Sequence, residues 1–494
     1  MDLVSLLQKR ARDYAEGLPD PHRFGRTEEL PSGKLLQYVV QRHLAERAGP
    51  HYDVRFGEGR KDRPDLFSWA TKKELPRSGG KVMLYQQPLH RGQYADFEGT
   101  LRSGYGKGVV KQHDRGTVIV THADQNKIKF VIAHRKYPEY FTMVRHSGPP
   151  GNPKTERQAK SQGGSWLLIN TTPVSAAKFL GGKPEEVGLN KLRYTKIPTE
   201  KVEKLFDSNY MVQEKLDGAS ALIHLLGDRI EAVSYRVAKG GHPIIHTFRV
   251  FGPGGAKTSV QIPEHLKGTI LRGEIYGTKG KDGVIPPQQL GGLLNASIQK
   301  SLEKQKEQGI DLKVMPFDVV RYGKTPIPAL SLSQEERMNK LREVLTFLPR
   351  SKFRLPESAE TPAAARSLVE TIKHRMHPRT QEGVIGWPKE PGKAPVKAKF
   401  TPEADVWVRN VFPGAGRLTG SGAGGFEYSL SPEGPIVGRV GTGFSEEARK
   451  EMLQDPEGWL NRMARIKAQD RFPSGAYRAP AFIALHEDYP MKTN

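Results

Sequence analysis

Apolar residues occur along this chain in short runs broken by turn residues, a pattern that favours many strands over a few long helices. The runs Gly116–Thr121 and Lys127–Ile132 read as strands, and Ser165-Trp166-Leu167-Leu168-Ile169 as the last strand of a first domain. Between them, Gly148 to Gly164 is rich in Gly, Pro, Lys and Gln with almost no apolar residue, and reads as a mobile loop. Helical periodicity comes later. Ser333-x-x-Glu336 is a capping box opening an amphipathic run through Leu348, and Thr361-Pro362 supplies an N-cap with proline at N1. From about Thr401 strands return, with Asp405–Arg409, a glycine-rich turn from Gly414 to Gly425, Ile436–Val440, and a short helix capped by Ser445.

A chain of 494 residues with 52 glycines and 37 prolines is turn-dense and long enough for about three domains at ~150 residues each. The expected class is multidomain α+β: a β-barrel-like domain over 1–170, a linker over 171–190, a mixed α+β domain over 191–400 and a small β-barrel over 401–494. Charge narrows the partner. With 77 Lys and Arg against 54 Asp and Glu the formal charge is +23, the footprint of a polyanion-binding protein. Nucleic acid is the first candidate. A membrane surface is the second, disfavoured because no long apolar run, signal-peptide pattern or basic amphipathic helix is visible. The absence of cysteine excludes disulfides and thiolate zinc sites and fits a reducing, cytoplasmic setting.

The candidate nucleophile is Lys215, in Gln213-Glu214-Lys215-Leu216-Asp217-Gly218-Ala219-Ser220. A lysine amine attacks phosphorus only when unprotonated, so its site must depress a pKa that starts near ~10.4. Asp217 can orient the amine, and Gly218 lets backbone approach a phosphate. Alone, K-x-D-G is short enough to arise as a solvated strand end. Four further runs follow in order: Leu271-Arg272-Gly273-Glu274-Ile275-Tyr276-Gly277, Pro316-Phe317-Asp318-Val319-Val320, Glu382-Gly383-Val384-Ile385-Gly386 and Val396-Lys397-Ala398-Lys399-Phe400. Alternation along a strand places Lys397 and Lys399 on one face, where they can contact a phosphate and lower the pKa of Lys215. Glu274 and Glu382 suit a hard, oxygen-seeking Mg²⁺ or Mn²⁺. The ordinary alternatives are surface acids, a solvated basic strand and a core phenylalanine.

The order and spacing of these runs resemble the ATP-dependent DNA ligases, most of all the ligase module of bacterial ligase D, over roughly residues 190 to 490. The resemblance implies an adenylation domain over 191–400 followed by an OB-fold barrel. It implies that Glu214, Lys215, Arg236, Glu274, Phe317, Lys397 and Lys399 line the nucleotide, with Phe317 stacked on adenine and Arg236 reaching a ribose or the nicked strand. Glu274 would lie by the ribose and metal, and Glu382 would hold the divalent cation. The family's C-terminal basic R-x-D-K motif is reduced here to His486-Glu487-Asp488-Tyr489, whereas Arg478 in Tyr477-Arg478-Ala479-Pro480 fits the pattern just upstream. Self-adenylylation is therefore expected to be slow or to borrow a cation elsewhere.

The first third of the chain carries a separate constellation: Gln41-Arg42-His43, His51-Tyr52-Asp53-Val54-Arg55, and His90 to Gly99 with Tyr94. Odd positions of 51–55 share a strand face, and with His43 they assemble two imidazoles and a carboxylate, a common divalent-metal set. Arg55 and His90 would grip a phosphate. With Ser68-Trp69-Ala70 and Tyr94-Ala95-Asp96-Phe97-Glu98-Gly99, these runs resemble the 3′-phosphoesterase domain of bacterial ligase D. The resemblance implies Mn²⁺ or a similar ion on His43, His51 and Asp53, and phosphate contact from Arg55, His90 and Tyr94. Two residues more than the family's spacing separate His43 from His51, so an altered loop is expected there.

Together these features predict a bifunctional repair enzyme that trims 3′ ends and seals 3′-hydroxyl/5′-phosphate breaks through a lysyl-AMP intermediate, consuming ATP and working on duplex DNA in non-homologous end joining. The Ku end-binding protein enters as a partner by family resemblance alone. An RNA ligase or other covalent nucleotidyltransferase, and a non-catalytic DNA-end scaffold, are the competing readings.

Overall fold

The computed structural model describes residues 24–61, 63–103, 106–146, 164–238, 240–257, 262–280, 283–375, 381–400, 403–468, 470–472 and 474–490. Most of the loop expected at 148–164 lies outside them. By internal packing the chain divides into two compact units, one of 1–192 with 218–355 and one of 193–217 with 356–494. The chain passes between the units at the junction of Asp217 and Gly218.

In the first unit, nine strands form an antiparallel barrel: β1 (Leu35–Ala45), β2 (Gly49–Gly57), β3 (Pro64–Thr71), β4 (Lys81–Arg91), β5 (Gly99–Leu101), β6 (Gly108–Ala123), β7 (Lys127–Ile132), β8 (Glu139–Arg145) and β9 (Ser165–Asn170). Their order is β1-β2-β3-β4-β9-β8-β7-β6, closed by pairing of β6 with β1, with β5 added on β6. The last strand, formed by the Ser165 run, enters between β4 and β8. Its interior is filled by alternate residues, among them Tyr38, Val54, Phe56, Trp69, Val118, Val120, Phe130, Phe141 and Trp166. Each buried aromatic stabilises the fold by about 1.5–3 kcal/mol relative to exposure.

A few of the intervening positions near one end of β6 and β7 are apolar as well. Ile119, Val131 and Ala133 pack outside the barrel against Phe248 and Ile298, which lie on the helices Thr247–Phe251 and Ile298–Gln308. The Gln299 N–H donates to the Ala133 carbonyl at 3.0 Å and the Thr117 hydroxyl to Gln299 Oε1 at 2.9 Å. Only where the strands are covered on both faces does the run become continuously apolar, as at Phe130 to Ala133.

The same unit holds an antiparallel sheet whose centre runs Arg229–Val237, Ala219–Leu225, Ile270–Lys279, Ile310–Tyr322. Residues 171–190, expected as a linker, are instead folded onto this sheet. They carry the helix Ala176–Leu180, and Leu180 and Val187 are buried with Leu222, Val233, Ile270 and Val320. The helix Gln334–Leu345 begins with the expected capping box of Ser333 and Glu336.

In the second unit a five-stranded sheet is ordered Thr195–Ile197, Val396–Lys399, Gln381–Pro388, Tyr210–Leu216, Ser358–Ala359. Val212, Val384, Val396 and Ala398 bury one face with Ala365, Val369 and Ile372 of the helix Pro362–Arg375. Thr361 Oγ1 caps that helix at the Ala364 N–H, 3.3 Å away. The remainder is a meander of Glu403–Pro413, Ala423–Ser429 and Gly438–Val440, the Ser445-capped helix Glu446–Gln454, then Arg462–Lys467 and Ala481–Pro490. The first strand pairs with the fourth, the fourth with the fifth, and a parallel bridge from Thr442 to Ala481 joins the third to the fifth, closing a small barrel.

Candidate functional site

On the outer face of the first barrel, β1 and β2 are paired so that His43 lies opposite His51 and Gln41 opposite Asp53. The hairpin turns tightly between Ala45 and Gly49, so the longer spacing expected to alter the loop leaves the two imidazoles in register. His43 Nδ1 lies 3.7 Å from Asp53 Oδ2 and His51 Nε2 3.6 Å from Oδ1. The far nitrogens are committed: His43 Nε2–H donates to the Gly106 carbonyl and His51 Nδ1–H to the Gly49 carbonyl, both at 2.8 Å. In the neutral tautomers that these two bonds select, the inward nitrogens carry lone pairs, and three potential ligand atoms lie within 4.8 Å of one another. Such a convergence of acceptors fits a divalent cation. Among the described residues this is the one group of three or more potential ligands so arranged.

Behind this set lies a buried layer. Burial alone would raise the pKa of Asp53, but the Arg55 guanidinium at 3.0 Å, together with His43, His51 and His90, holds its carboxylate well below the usual range. His90 donates from Nδ1 to the Pro88 carbonyl at 3.0 Å and accepts from Arg55 at 3.4 Å. Burial and the charge of Arg55 keep this imidazole neutral. The Tyr94 ring stands 5.0 Å from both the His90 ring and the Arg55 guanidinium, and burial raises its phenol pKa. Arg55 is 3 % exposed and is tied to Asp53, Gln41 and His90, so the expected open grip on phosphate is replaced by support of the carboxylate. One donor remains, because the buried Arg55 Nε–H has no partner.

Gln41, given no role from the sequence, ties the layers together. Its Oε1 accepts from Arg55, and its Nε2 donates to the carbonyls of Tyr94 at 3.1 Å and Phe97 at 2.8 Å. Its place at an odd position of β1, two residues before His43, was the available signal.

In the second unit, Lys215 pairs with Gly383, which pairs in turn with Lys399; Lys397 lies two residues along, opposite Ile385. The lysines therefore share the face opposite the helix-covered one, as alternation predicts. The register shifts between Lys215 and Leu216, which pair with Gly383 and Gln381, leaving Glu382 unpaired in a bulge. That bulge turns the Glu382 carboxylate onto the lysine face, where its two oxygens accept from Lys215 Nζ and Lys399 Nζ. Glu382, expected as a metal ligand, is here the counter-ion of two ammonium groups. Gly383 is required for the approach: its φ is +141°, and a Cβ would stand 2.0 Å from the Ala398 carbonyl oxygen.

Burial, then the charges of Lys215 and Lys196, lower the pKa of Lys397, whose Nζ lies 5.1 Å from the Tyr194 ring centroid. Burial and Lys215 likewise lower that of Lys399; Asp217 opposes the shift, and Lys196 and Arg478 add to it. Asp217, expected to orient the amine, pairs with Arg478 at 3.2 Å. Glu214 points to the opposite face from Lys215, is 2 % exposed and accepts from the Glu357 N–H at 2.8 Å, so its carboxylate has a structural use.

Three predicted nucleotide residues belong to the first unit. Glu274 accepts from the Gly218 N–H at 3.2 Å and from Ser220 Oγ at 3.0 Å. Phe317 falls in a register shift between the pairs Arg272–Asp318 and Gly273–Pro316 and is half-buried, unlike its buried neighbours. Arg236 is exposed near the end of its strand.

An outer-wall metal-ligand set on a closed barrel, and a lysine row with a bulged glutamate on a separate sheet, define a chain with two chemically distinct centres. Residues 41–145, which contain the whole first centre, match the family of the DNA Ligase D 3′-phosphoesterase domain. No curated protein matches the chain significantly. Among solved structures, a Lig E DNA ligase shares 16% identity over 60% of this chain and 100% of its own, with TM-score 0.39. A mycobacterial DNA ligase D complexed with ATP and MES shares 17% over 60% and 95%, TM-score 0.31. The ATP-dependent DNA ligase from bacteriophage T7 in complex with ATP shares 18% over 61% and 99%, TM-score 0.29.

Proposed function

We propose that this chain is an ATP-dependent DNA ligase with an attached metal-dependent 3′-end-healing phosphoesterase, acting on breaks in duplex DNA. The observation that carries the sealing half is the Lys215–Gly383–Lys399 row with Glu382 in contact with both ammonium groups. An amine in contact with a carboxylate has a base in place to receive its proton. Lys397 and Lys399 stand where cations can stabilise the α-phosphate as charge develops on its oxygens. A Mg²⁺ or Mn²⁺ ion would compete with these ammonium groups for Glu382 and supply further neutralisation of the phosphates. Glu274 and Phe317 serve the ribose and adenine in this reading, Arg236 a ribose or the nicked strand, and the C-terminal barrel is an OB fold that engages the duplex.

The healing half rests on His43, His51 and Asp53, which fit Mn²⁺ or a similar ion. A metal there would polarise a phosphate ester, with Arg55, His90 and Tyr94 packed behind its ligands. Removing a 3′-phosphate creates the hydroxyl nucleophile that sealing requires, which gives the two centres a shared substrate. A net charge of +23 suits DNA, and no described helix is long and apolar enough to cross a membrane. End joining beside a Ku-type end-binding protein, in the cytoplasm of a prokaryote, is the setting this reading implies.

The deciding experiment incubates the protein with Mg²⁺ and ATP labelled on the α-phosphate, then denatures it. Label should remain on wild type and be absent from Lys215→Ala; an unlabelled wild type ends the sealing proposal. Nicks with DNA or RNA on the 3′ side separate a DNA ligase from an RNA ligase.

A further inference from the structure

We infer that an ion held by His43, His51 and Asp53 stabilises the sheet that carries Glu274 and Phe317, because the first barrel and that sheet unfold as one cooperative body. The inference rests on the metal reading of the barrel site and is independent of the sealing reading. Domains joined by a slack connector and a small polar contact move and unfold separately. In this chain both the connector and the contact are of the opposite kind.

The connector, 171–190, is tied at both ends. At its start the Thr171 N–H donates to the Tyr140 carbonyl of β8 at 2.7 Å, and the Tyr140 N–H donates to Thr172 Oγ1 at 2.9 Å. Further along, two arginines of the sheet, each 8% exposed, commit their donors to its carbonyls. Arg321 reaches Leu180 and Gly181, both at 3.0 Å, and Arg272 reaches Gly188 at 3.1 Å and Asn190 at 3.0 Å. Between these anchors the Ala176 N–H donates to the Gly241 carbonyl at 3.1 Å, and Leu180 and Val187 are buried against the sheet. Release of the connector alone would leave buried guanidinium donors unpaired, which opposes any local opening there.

The contact is apolar and is continuous with the strands of the metal site. Ile119, Val131 and Ala133, each at most 1% exposed, meet Phe248 and Ile298. Leu35 packs beside them, pairs with Ile119, and begins the same strand, β1, that carries His43. That strand is laddered on one side to β2, which carries His51 and Asp53, and on the other to β6, which carries Ile119. A ligand strand therefore cannot leave the barrel without breaking the wall that receives Phe248 and Ile298. Gln299, bonded to both Ala133 and Thr117, fixes the register of the contact. Core amides exchange only when their cooperative unit opens, and an ion that binds the closed form alone makes that opening rarer throughout the unit.

The test is amide hydrogen exchange of the full chain, read by mass spectrometry without Mn²⁺ and with Mn²⁺ at about a hundredfold excess over its dissociation constant. It needs neither ATP nor DNA. In wild type the slowest amides of Ile270–Lys279 and Ile310–Tyr322 should exchange about 100-fold more slowly with the ion, as should those of β1 and β2. His51→Ala should lose the effect in both places, which separates the barrel site from an ion acting through Glu274. Phe248→Ala combined with Ile298→Ala should keep the slowing in β1 and β2 and weaken it in the sheet; if that variant does not fold, wild type against His51→Ala decides. Slowing confined to the barrel, or slowing of the sheet that survives His51→Ala, overturns the inference. Slowing in neither place overturns the metal reading and the inference with it.

Discussion

Arg478 Nη1 lies 3.2 Å from the carboxylate of Asp217, two positions beyond Lys215. Both side chains are about one-third exposed, so solvent screens the pair and its worth to stability is small. A double-mutant cycle with Asp217→Ala and Arg478→Ala, read by denaturant unfolding, should give a coupling below ~1 kcal/mol. A coupling of several kcal/mol would make the contact a structural clamp.

Lys215→Arg keeps a cation beside Glu382 but removes the nucleophile, because a guanidinium does not deprotonate near neutral pH. The variant should melt within a few degrees of wild type and take up no AMP. Mass spectrometry of the intact chain after incubation with ATP reads both protein and adduct.

Gly383→Ala places a methyl group 2.0 Å from the Ala398 carbonyl oxygen at φ +141°. The strands must separate there, at a cost of about 1–3 kcal/mol for the backbone conformation alone. Because Gly383 stands between Lys215 and Lys399, adenylylation should fall with stability, whereas Gly392→Ala, in open space although also at positive φ, should spare the reaction.

Loading the barrel with Mn²⁺ should raise its melting temperature, by the equivalent of ~2.7 kcal/mol at a hundredfold excess over the dissociation constant. His51→Ala should abolish that rise. Asp53→Asn should in addition lower the metal-free melting temperature, because the buried Arg55 loses its counter-ion at a cost of ~3–5 kcal/mol. Calorimetry with and without Mn²⁺ distinguishes the two variants.

Acid should destabilise the first unit in a defined window. Burial, with the charge of a neighbouring arginine, lowers the pKa of His224 to about 4 and of His246 to about 3. In the unfolded chain both titrate near ~6.5, so below that pH the unfolded state binds more protons. Their contribution is complete above about pH 6.5 and is lost as pH falls toward 4 for His224 and 3 for His246. Each adds at most ~1.4 kcal/mol per pH unit. Denaturant melts from pH 7 to 4 should show this slope, and His224→Gln should flatten it; a flat profile in wild type would refute the assignment.

Much of this was legible in one dimension. Period-two alternation placed Lys397 beside Lys399 and put His51, Asp53 and Arg55 on one face, and hydrogen-bonding residue types marked the caps at Ser333, Thr361 and Ser445. What escaped depends on register or on distant partners. Glu382 reaches the lysines through a bulge that no pattern announces, Asp217 finds Arg478 across 261 positions, and Arg55 is buried by a segment near Tyr94. The stretch 171–190 looked like a connector because its few apolar residues lack a period, yet Leu180 and Val187 are enough to fix it.

The oily seam of Ile119, Val131 and Ala133 against Phe248 and Ile298 makes the two domains of the first unit hard to own separately. A gene trimmed of its opening barrel would express the remainder of the chain with a bare greasy flank, prone to clump. Loss of the proposed end-healing activity is therefore expected to proceed by substitution of His43, His51 and Asp53 within an intact barrel, not by deletion of the barrel itself.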